Sequence, residues 1–490
     1  MLRTSCLFLM LAFLLSTPSL ARPPYRQGDW ISYSDFRYVT SIAISPKYVF
    51  FGTTQGITRY NRYTQSWDYP FTTSTGLLDS WVEDLAYDPS RGELWVKTKE
   101  GVCGYQPAFE DWIYGGSFPE NLALSRRGKF ESLYFFPPFG YHYFPEGYIA
   151  DDHLREFPIN AWLKDDWDNL WLGTWGLNAG VGSYRTHQLK LFKYGLMGGN
   201  VEAILKDGDK TWFGGKGGYW GSSGITVYDR QAGEWRYFEP NYTDGLLSDE
   251  VTCFAASSTY VWVGTTQGLS HYNKRTGRWR YYTTFDGLPS DQVTDLDVDD
   301  SLLWIGTSSG MGQLSFPDDT SLTLVNMGLN LKWIYDVEIG KDMVWVGTEE
   351  GLYGWDKHRR KWVKFSSAQA PILGEVTAIS LWDDEVWLGT PHTISVFRKS
   401  TRSWKTLNPP LYQSGGFILC LAVDKTSVWA GTPSGAFKYN RQGDSWKIYT
   451  TNDGLLDNMV QSIAIEEDYI WFGTRLGATR FYWNSPYRID

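Results

Sequence analysis

The sequence of 490 residues is short of cysteine and histidine and has no long apolar run outside its first residues. Each shortage closes off a class of protein. Apart from the N-terminal stretch, nothing approaches the run of about 18 apolar residues that crosses a bilayer, so no membrane insertion is expected. The six histidines, His142, His153, His187, His271, His358 and His392, form no His-x-x-x-His pair and no cluster at metal-ligand spacing. They read as strand or turn residues, and neither a metal nor a cofactor is expected. Basic residues are also in deficit, 45 against 55 acidic for a formal charge of −10, which argues against nucleic acid and anionic membrane as partners.

Cys6 lies within an N-terminal leader, and Cys103, Cys253 and Cys420 each sit inside an apolar strand-like run. They read as buried thiols. A Cys253–Cys420 bridge is disfavoured, because the two fall four repeats apart on equivalent strands. The leader has the order of a secretory signal peptide: Met1-Leu2-Arg3, an apolar run through Leu15, then Ser19-Leu20-Ala21. Cleavage is expected after Ala21, giving a periplasmic or secreted protein. Cys6 precedes most of the apolar run, whereas a lipid-attachment cysteine would follow it.

What the chain does have is tryptophan, 26 in all, and a repeat that places many of them. A short phrase recurs as Trp262-Val263-Gly264-Thr265, Trp304-Ile305-Gly306-Thr307, Trp345-Val346-Gly347-Thr348 and Trp387-Leu388-Gly389-Thr390, then at Trp429 and Trp471, at spacings of 42, 41, 42, 42 and 42 residues. Looser copies centre on Phe50, Trp95, Trp171 and Trp212, and one on Tyr134 is placed mainly by position. A period of about 42 residues, four strands long, is the signature of β-propeller blades.

In the cleanest unit, Val251 to Ala255 is the innermost strand, Tyr260 to Thr265 the second, Leu269 to Tyr272 the third and Trp279 to Tyr282 the outermost. Eight tryptophans, Trp30, Trp67, Trp112, Trp235, Trp279, Trp362, Trp404 and Trp446, open outermost strands. The expected fold is thus all-β, a propeller of about eleven four-stranded blades. That number exceeds one ordinary ring, so two rings are the default, with a leader at 1–21, an irregular half at 22–240 and a regular half at 241–490. Trp30 to Tyr33 resembles an outermost strand with no blade before it, and the last unit lacks one after Tyr482. These ends are predicted to pair, which points instead to one large ring or to one ring inserted within another.

The Gly-Leu turn, the following Val-Thr and the Trp-x-Gly-Thr-x-x-Gly-Leu phrase, as in Gly287-Leu288, Val293-Thr294, Trp345 to Thr348 and Gly351-Leu352, resemble the two-component regulator propeller repeat of periplasmic sensor regions in hybrid two-component systems. The resemblance implies a propeller and a sensor-like binding role. It departs in having no kinase or transmembrane part before Asp490, so the chain is not expected to signal by itself.

No catalytic constellation stands out. Gly215 to Gly224 is glycine-rich but lacks the Lys-Ser/Thr ending of a phosphate loop, and reads as an enlarged turn. Asp295-x-Asp297-x-Asp299-Asp300 and Asp165 to Asn169 hint at calcium, yet both end where a first strand turns into a second, where turn chemistry accounts for acids. Carboxylates at Asp79, Asp249, Asp291 and Asp457 read as caps of a repeated return loop.

Register gives a sharper expectation. The residue just ahead of each innermost strand should rim a central opening: Tyr38, Asn200, Glu250, Gln292, Trp333, Glu375, Phe417 and Met459, with Trp81 joining after a short insertion. Turns on the same face add Trp175 and Trp220, the latter beside Tyr219. Aromatic rings around a concave mouth suit a glycan or an exported or envelope protein. The expected ligand-binding residues are therefore Tyr38, Trp81, Trp175, Trp220, Glu250, Gln292, Trp333, Glu375 and Phe417, in a non-enzymatic exported binding protein. The alternative is a propeller-fold lyase or hydrolase using Glu250, Glu375 or Asp291 in the channel mouth.

Overall fold

The computed structural model describes residues 25–26, 28–119, 121–127, 135–217, 224–299, 301–316, 323–365, 374–410 and 417–486. The leader, the Tyr134 anchor, Tyr219 and Trp220 lie outside the described residues. Within them, strands build ten antiparallel sheets, nine of four strands and one of six. In chain order they are sheets 1 (39–71), 2 (82–114), 3 (141–191, six strands), 4 (203–238), 5 (251–282), 6 (293–328), 7 (334–364), 8 (378–407), 9 (420–449) and 10 (460–482 with 30–33). No helix among the described residues is long and apolar enough to cross a membrane.

Sheet 5 illustrates why the sequence makes this unit. Its first strand, Val251–Ala256, alternates buried and half-buried residues, while its second, Tyr260–Thr265, is buried at every position between two neighbouring sheets. Hence the second strand is apolar without alternation. The turn that follows is closed by the Thr265 hydroxyl, which donates to the Gly268 carbonyl at 2.8 Å. The same bond recurs from Thr53, Thr307, Thr348, Thr432 and Thr474. Gly268 itself sits at φ +140°, where a side chain would be strained. The repeated Thr-x-x-Gly is thus a turn requirement.

The glycine inside Trp-x-Gly-Thr has a different cause, close approach of the next sheet. A Cβ on Gly264 would lie 2.8 Å from Val293 of sheet 6, on Gly306 2.8 Å from Ile334 of sheet 7, and on Gly347 2.6 Å from the Val376 carbonyl ahead of sheet 8. Continuing, Gly389 meets Ile418, Gly431 meets Val460, Gly473 meets Val201 ahead of sheet 4, and Gly214 meets Val251 of sheet 5. Sheets 4 to 10 therefore follow one another in a closed circuit. Sheets 3, 1 and 2 form a separate arc by the same rule, since Gly173 meets Val39 and Gly52 meets Val82.

The two chain ends pair as the sequence predicts: Trp30 lies opposite Phe481 and Ser32 opposite Thr479, so residues 30–33 complete sheet 10. From there the chain runs out to sheets 1–3 and returns to sheet 4. The two crossings pack on each other, with Tyr33, Phe36, Tyr194, Leu196, Trp235 and Trp471 in one buried cluster. Buried Arg37 ties them together by donating to Asp35 at 2.7 Å and to the Met197 carbonyl.

The outermost-strand tryptophans face an aromatic residue directly across the ladder: Tyr60–Trp67, Tyr105–Trp112, Tyr228–Trp235, Tyr272–Trp279, Trp355–Trp362, Phe397–Trp404 and Tyr439–Trp446. Such cross-strand pairs pin hairpin register. Trp30 is the tightest case, stacked on Phe481 at 3.8 Å and buried. Trp30→Ala is expected to cost about 3–5 kcal/mol in denaturant unfolding, because it empties a buried site and loosens the closing strand. Half-buried Trp446→Ala should cost about 1–2 kcal/mol. Equal losses would show that the closing strand has no special part.

Candidate functional site

Backbone bonds fix the predicted rim positions as equivalent. The amides of Thr54, Thr266, Ser308 and Glu349 donate to the carbonyls of Tyr38, Glu250, Gln292 and Trp333 at 3.2, 3.2, 3.0 and 3.3 Å. One step deeper, the threonine of the repeated Val-Thr reaches the next sheet: Thr40 to the Val82 carbonyl at 2.6 Å, Thr252 to Val293 at 2.8 Å and Thr377 to Ile418 at 2.7 Å. Where Tyr335 replaces threonine, its hydroxyl bonds the Glu375 carboxylate at 2.9 Å, and burial together with that acid pushes the phenol up to about 12.

The predicted residues fall into two groups. Glu250, Gln292, Trp333 and Glu375 are half-buried on the seven-sheet circuit, and Phe417 is 47 % exposed there, with the His392 ring 6.2 Å away. Tyr38, Trp81 and Trp175 belong to the arc. Tyr38 is buried and meets Trp175 edge-on at 5.2 Å, the two forming a β-bridge between sheets 1 and 3.

Trp81 lines a cavity of about 740 Å³ bounded by Thr40 of sheet 1, Glu83, Asp84 and Lys97 of sheet 2, Glu146 and Asn160 of sheet 3, and Arg127. Lys97 stands where Phe50 and the other tryptophan anchors are followed by glycine, and its side chain pairs with Glu83 at 3.0 Å. Arg127 pairs with Asp84 at 2.6 Å and donates to the Glu83 carbonyl, while neighbouring Arg126 bridges to Trp162 of sheet 3. Lys99 covers one face of Trp81 at 3.6 Å. The mouth of the arc is thus one indole, with Lys99 over one face, amid two ion pairs and the Glu146 carboxylate, a surface suited to a polar ligand with a ring to stack. Of its polar lining, sequence reasoning missed Glu83, Asp84, Lys97, Arg127, Glu146 and Asn160, although the lysine in a glycine position was a readable departure.

The circuit holds an acidic feature at its axis. Asp295 and Asp297 lie on the innermost strand Val293–Asp299, and Asp336 and Glu338 on its neighbour Ile334–Ile339. Turn chemistry, the sequence reading of Asp295 and Asp297, does not apply to them. Asp295 accepts from the Val337 amide at 2.7 Å, Asp297 from Ile339 at 2.7 Å and Asp336 from Ile379 at 2.8 Å, each across to the next sheet. Innermost strands have a free edge, and these carboxyls occupy its unpaired N–H groups. Burial pushes Asp297 up to about 6 and Asp336 up to about 7, and burial with mutual repulsion drives Asp295 and Glu338 well above the carboxylate range. Asp165 does follow turn chemistry, accepting from the Trp167 and Asn169 amides at 2.9 and 2.8 Å. Asp291 caps the Thr284 amide at 2.6 Å. Among the described residues no group of three or more His, Cys, Asp or Glu side chains is arranged to hold a metal ion.

Burial raises all three thiols, Cys103 to about 11 and Cys420 to about 12, and they are free cysteines. Low-pKa thiol chemistry is not what these sites favour.

This geometry defines a β-propeller protein. No protein-family model matches the chain, and no curated protein matches it either. Among solved structures it is similar to PorZ, a bacterial surface component of the type-IX secretion system of Porphyromonas gingivalis, at 12% identity over 93% of this chain and 87% of that one, with a TM-score of 0.63. It is also similar to the extracellular domain of BT4673, given as a hybrid two-component system of B. thetaiotaomicron, at 14% identity over 92% of this chain and 71% of that one, with a TM-score of 0.50. That second likeness falls where the repeat resemblance pointed. Identities this low establish a shared fold and leave function to the site itself.

Proposed function

We propose that this is an exported, non-enzymatic β-propeller that binds a glycan or an exported or envelope protein, built as two units: the arc of sheets 1–3 and the circuit of sheets 4–10 with residues 30–33. The single observation that carries the reading is the 740 Å³ mouth of the arc with Trp81 on its wall. Four of its charges are already paired, Lys97 with Glu83 and Arg127 with Asp84, which favours recognition over proton transfer, and Glu146 adds a carboxylate to the wall. Trp333, Glu250, Gln292, Glu375 and Phe417 form a second rim on the circuit, and Trp220 and Trp175 are proposed to contribute from the turns. The alternative of a lyase or hydrolase is less favoured, since Glu375 is bonded to Tyr335 and Asp291 caps a turn. Export rests on the leader at residues 1–21, and the surface and extracellular settings of the similar structures agree with it.

Binding on an oligosaccharide array and to immobilised envelope proteins tests this reading. Trp81→Ala is expected to weaken the strongest interaction at least about tenfold with the unfolding midpoint unchanged, and Trp333→Ala reports separately on the circuit rim. Full binding by the Trp81→Ala, Trp333→Ala, Trp220→Ala triple variant would remove both mouths from consideration.

A further inference from the structure

A second concavity, of about 750 Å³, lies away from both mouths, in the seam between the arc and the circuit. Its walls are consecutive stretches of chain: residues 65–69 of sheet 1, 190–194 beside sheet 3, and 232–235 of sheet 4. These stretches belong to Ser66–Phe71, Leu189–Leu191 and Glu234–Phe238 and their immediate flanks, each the terminal strand of its sheet. Three strand edges therefore converge on one groove, with Trp67, Tyr69 and Tyr228 among its side chains.

One of these edges is open. The Phe192 amide donates inward to the Ala179 carbonyl at 2.9 Å, so the alternate residues Leu191 and Lys193 turn their amides outward. Neither amide has a hydrogen-bond partner among the described residues. The chain already uses this same edge one step earlier. Phe136 lies on it as a parallel bridge to Gln188, donating to the His187 carbonyl at 2.7 Å and accepting from the Leu189 amide at 2.8 Å. Pro137 and Pro138 follow, and with no N–H to give they end the pairing and leave the edge uncovered from residue 190 on.

Charge adds a direction. In a chain of net charge −10, Lys190 and Lys193 face this groove and neither makes an ion pair among the described residues, whereas the two acids that also line it are engaged, Asp68 accepting from the Tyr48 hydroxyl at 2.5 Å and Glu234 pairing with Arg236 at 3.8 Å. Their ammonium groups lie over aromatic rings instead, Phe192 at 5.1 Å and Tyr237 at 5.7 Å.

We propose that the seam groove takes an extended acidic peptide segment of another exported protein, which adds a strand to the outer edge at Leu191 and Lys193 and sets its carboxylates against Lys190 and Lys193. Main-chain pairing supplies the affinity, and the aromatic walls take alternate apolar side chains. The site is independent of Trp81 and of the rim.

Panning a phage-displayed random peptide library against the full chain, followed by titration of the enriched synthetic peptides, tests this. Enriched peptides are expected to be acidic, to lose about tenfold in affinity with Lys190→Gln/Lys193→Gln, and to lose binding with Lys193→Pro, which removes the outward N–H from an exposed position. Amide exchange at Leu191 and Lys193 should slow on binding, and Trp81→Ala should change nothing. Unfolding midpoints of the variants, measured alongside, separate lost pairing from lost folding, and if Lys193→Pro unfolds, the exchange measurement on the native chain decides. The proposal is overturned if no acidic peptide is enriched, if Lys193→Pro remains folded and binds as well as the native chain, if the two amides exchange at the same rate with and without peptide, or if oligosaccharides occupy the groove in the peptide's place.

Discussion

Asp336→Asn is expected to make the protein more stable at pH 8, by about 2 kcal/mol, and to leave it unchanged at about pH 4. The reason is the carboxyl stack at the axis of the circuit. Asp336 is raised to about 7 and Asp297 to about 6, with Asp295 and Glu338 raised as well, primarily by burial. In the unfolded chain the same groups titrate near about 4. Between these values the folded state holds more protons than the unfolded state, so stability falls as pH rises from about 4 through 7. Groups that face the stack do little to offset it: Cys253 and Cys420 are neutral thiols on flanking strands, and Lys357 is engaged with Asp299 at 3.0 Å.

Asparagine keeps an oxygen for the Ile379 amide while removing the charge. An opposing contribution comes from buried His271, which burial lowers to about 4, so that its share of stability is lost as pH falls from about 6.5 toward 4. Carboxyls that are lowered, Glu350 to about 2 among them, lose their share of stability only below about pH 5, so from about pH 5 to 8 the raised carboxyls outweigh the imidazole and the net slope is downward with rising pH. Thermal unfolding of both proteins from pH 4 to 8 checks this. A native midpoint that climbs from pH 5 to 8, or an Asp336→Asn midpoint that tracks the native one throughout, would sink it.

The second large effect is expected at the circuit's closing joint. Gly473→Ala would set a Cβ 2.7 Å from the Val201 carbonyl and against the Ser462 hydroxyl. The hydroxyl can rotate aside, but the carbonyl is backbone two residues ahead of the first strand of sheet 4, so sheets 10 and 4 must part. A loss of about 3 kcal/mol in denaturant unfolding is expected. Gly233→Ala serves as the control, because nothing lies within 4 Å of its Cβ position and only the positive φ of 67° opposes it. That change should cost about 1 kcal/mol. Comparable losses for the two variants would mean that sheets 10 and 4 do not depend on close approach at this point.

Much of the unit was legible because a blade is built from short-range rules. The four strands between Val251 and Tyr282 and the tryptophan opening the outermost one follow from contacts within about 40 residues, and the structure places them to within a residue of that reading. The candidate site was legible only as a list of positions. Residues just ahead of innermost strands are equivalent in register, yet which of them share a mouth depends on the order of sheets around each axis. Tyr38 and Trp81 thus separate from Glu250 and Trp333, and Tyr38 turns inward onto Trp175. Asp295 and Asp297 misled for a related reason. An Asp-x-Asp pair next to a turn looks the same as one on an innermost strand, until a neighbouring strand offers its free amides.

The amino-acid sequence alone determined the repeat, its four strands and the pairing of the chain's two ends, because each rests on patterning of apolar, glycine and threonine positions that any copy of the unit must satisfy. Tertiary structure alone decided that seven sheets close on themselves while three stand apart, and that the open Leu191–Lys193 edge faces a groove. The first of those outcomes turns on two joints, Gly473 against Val201 and Gly173 against Val39, which bring together segments far apart in the chain that no local pattern encodes.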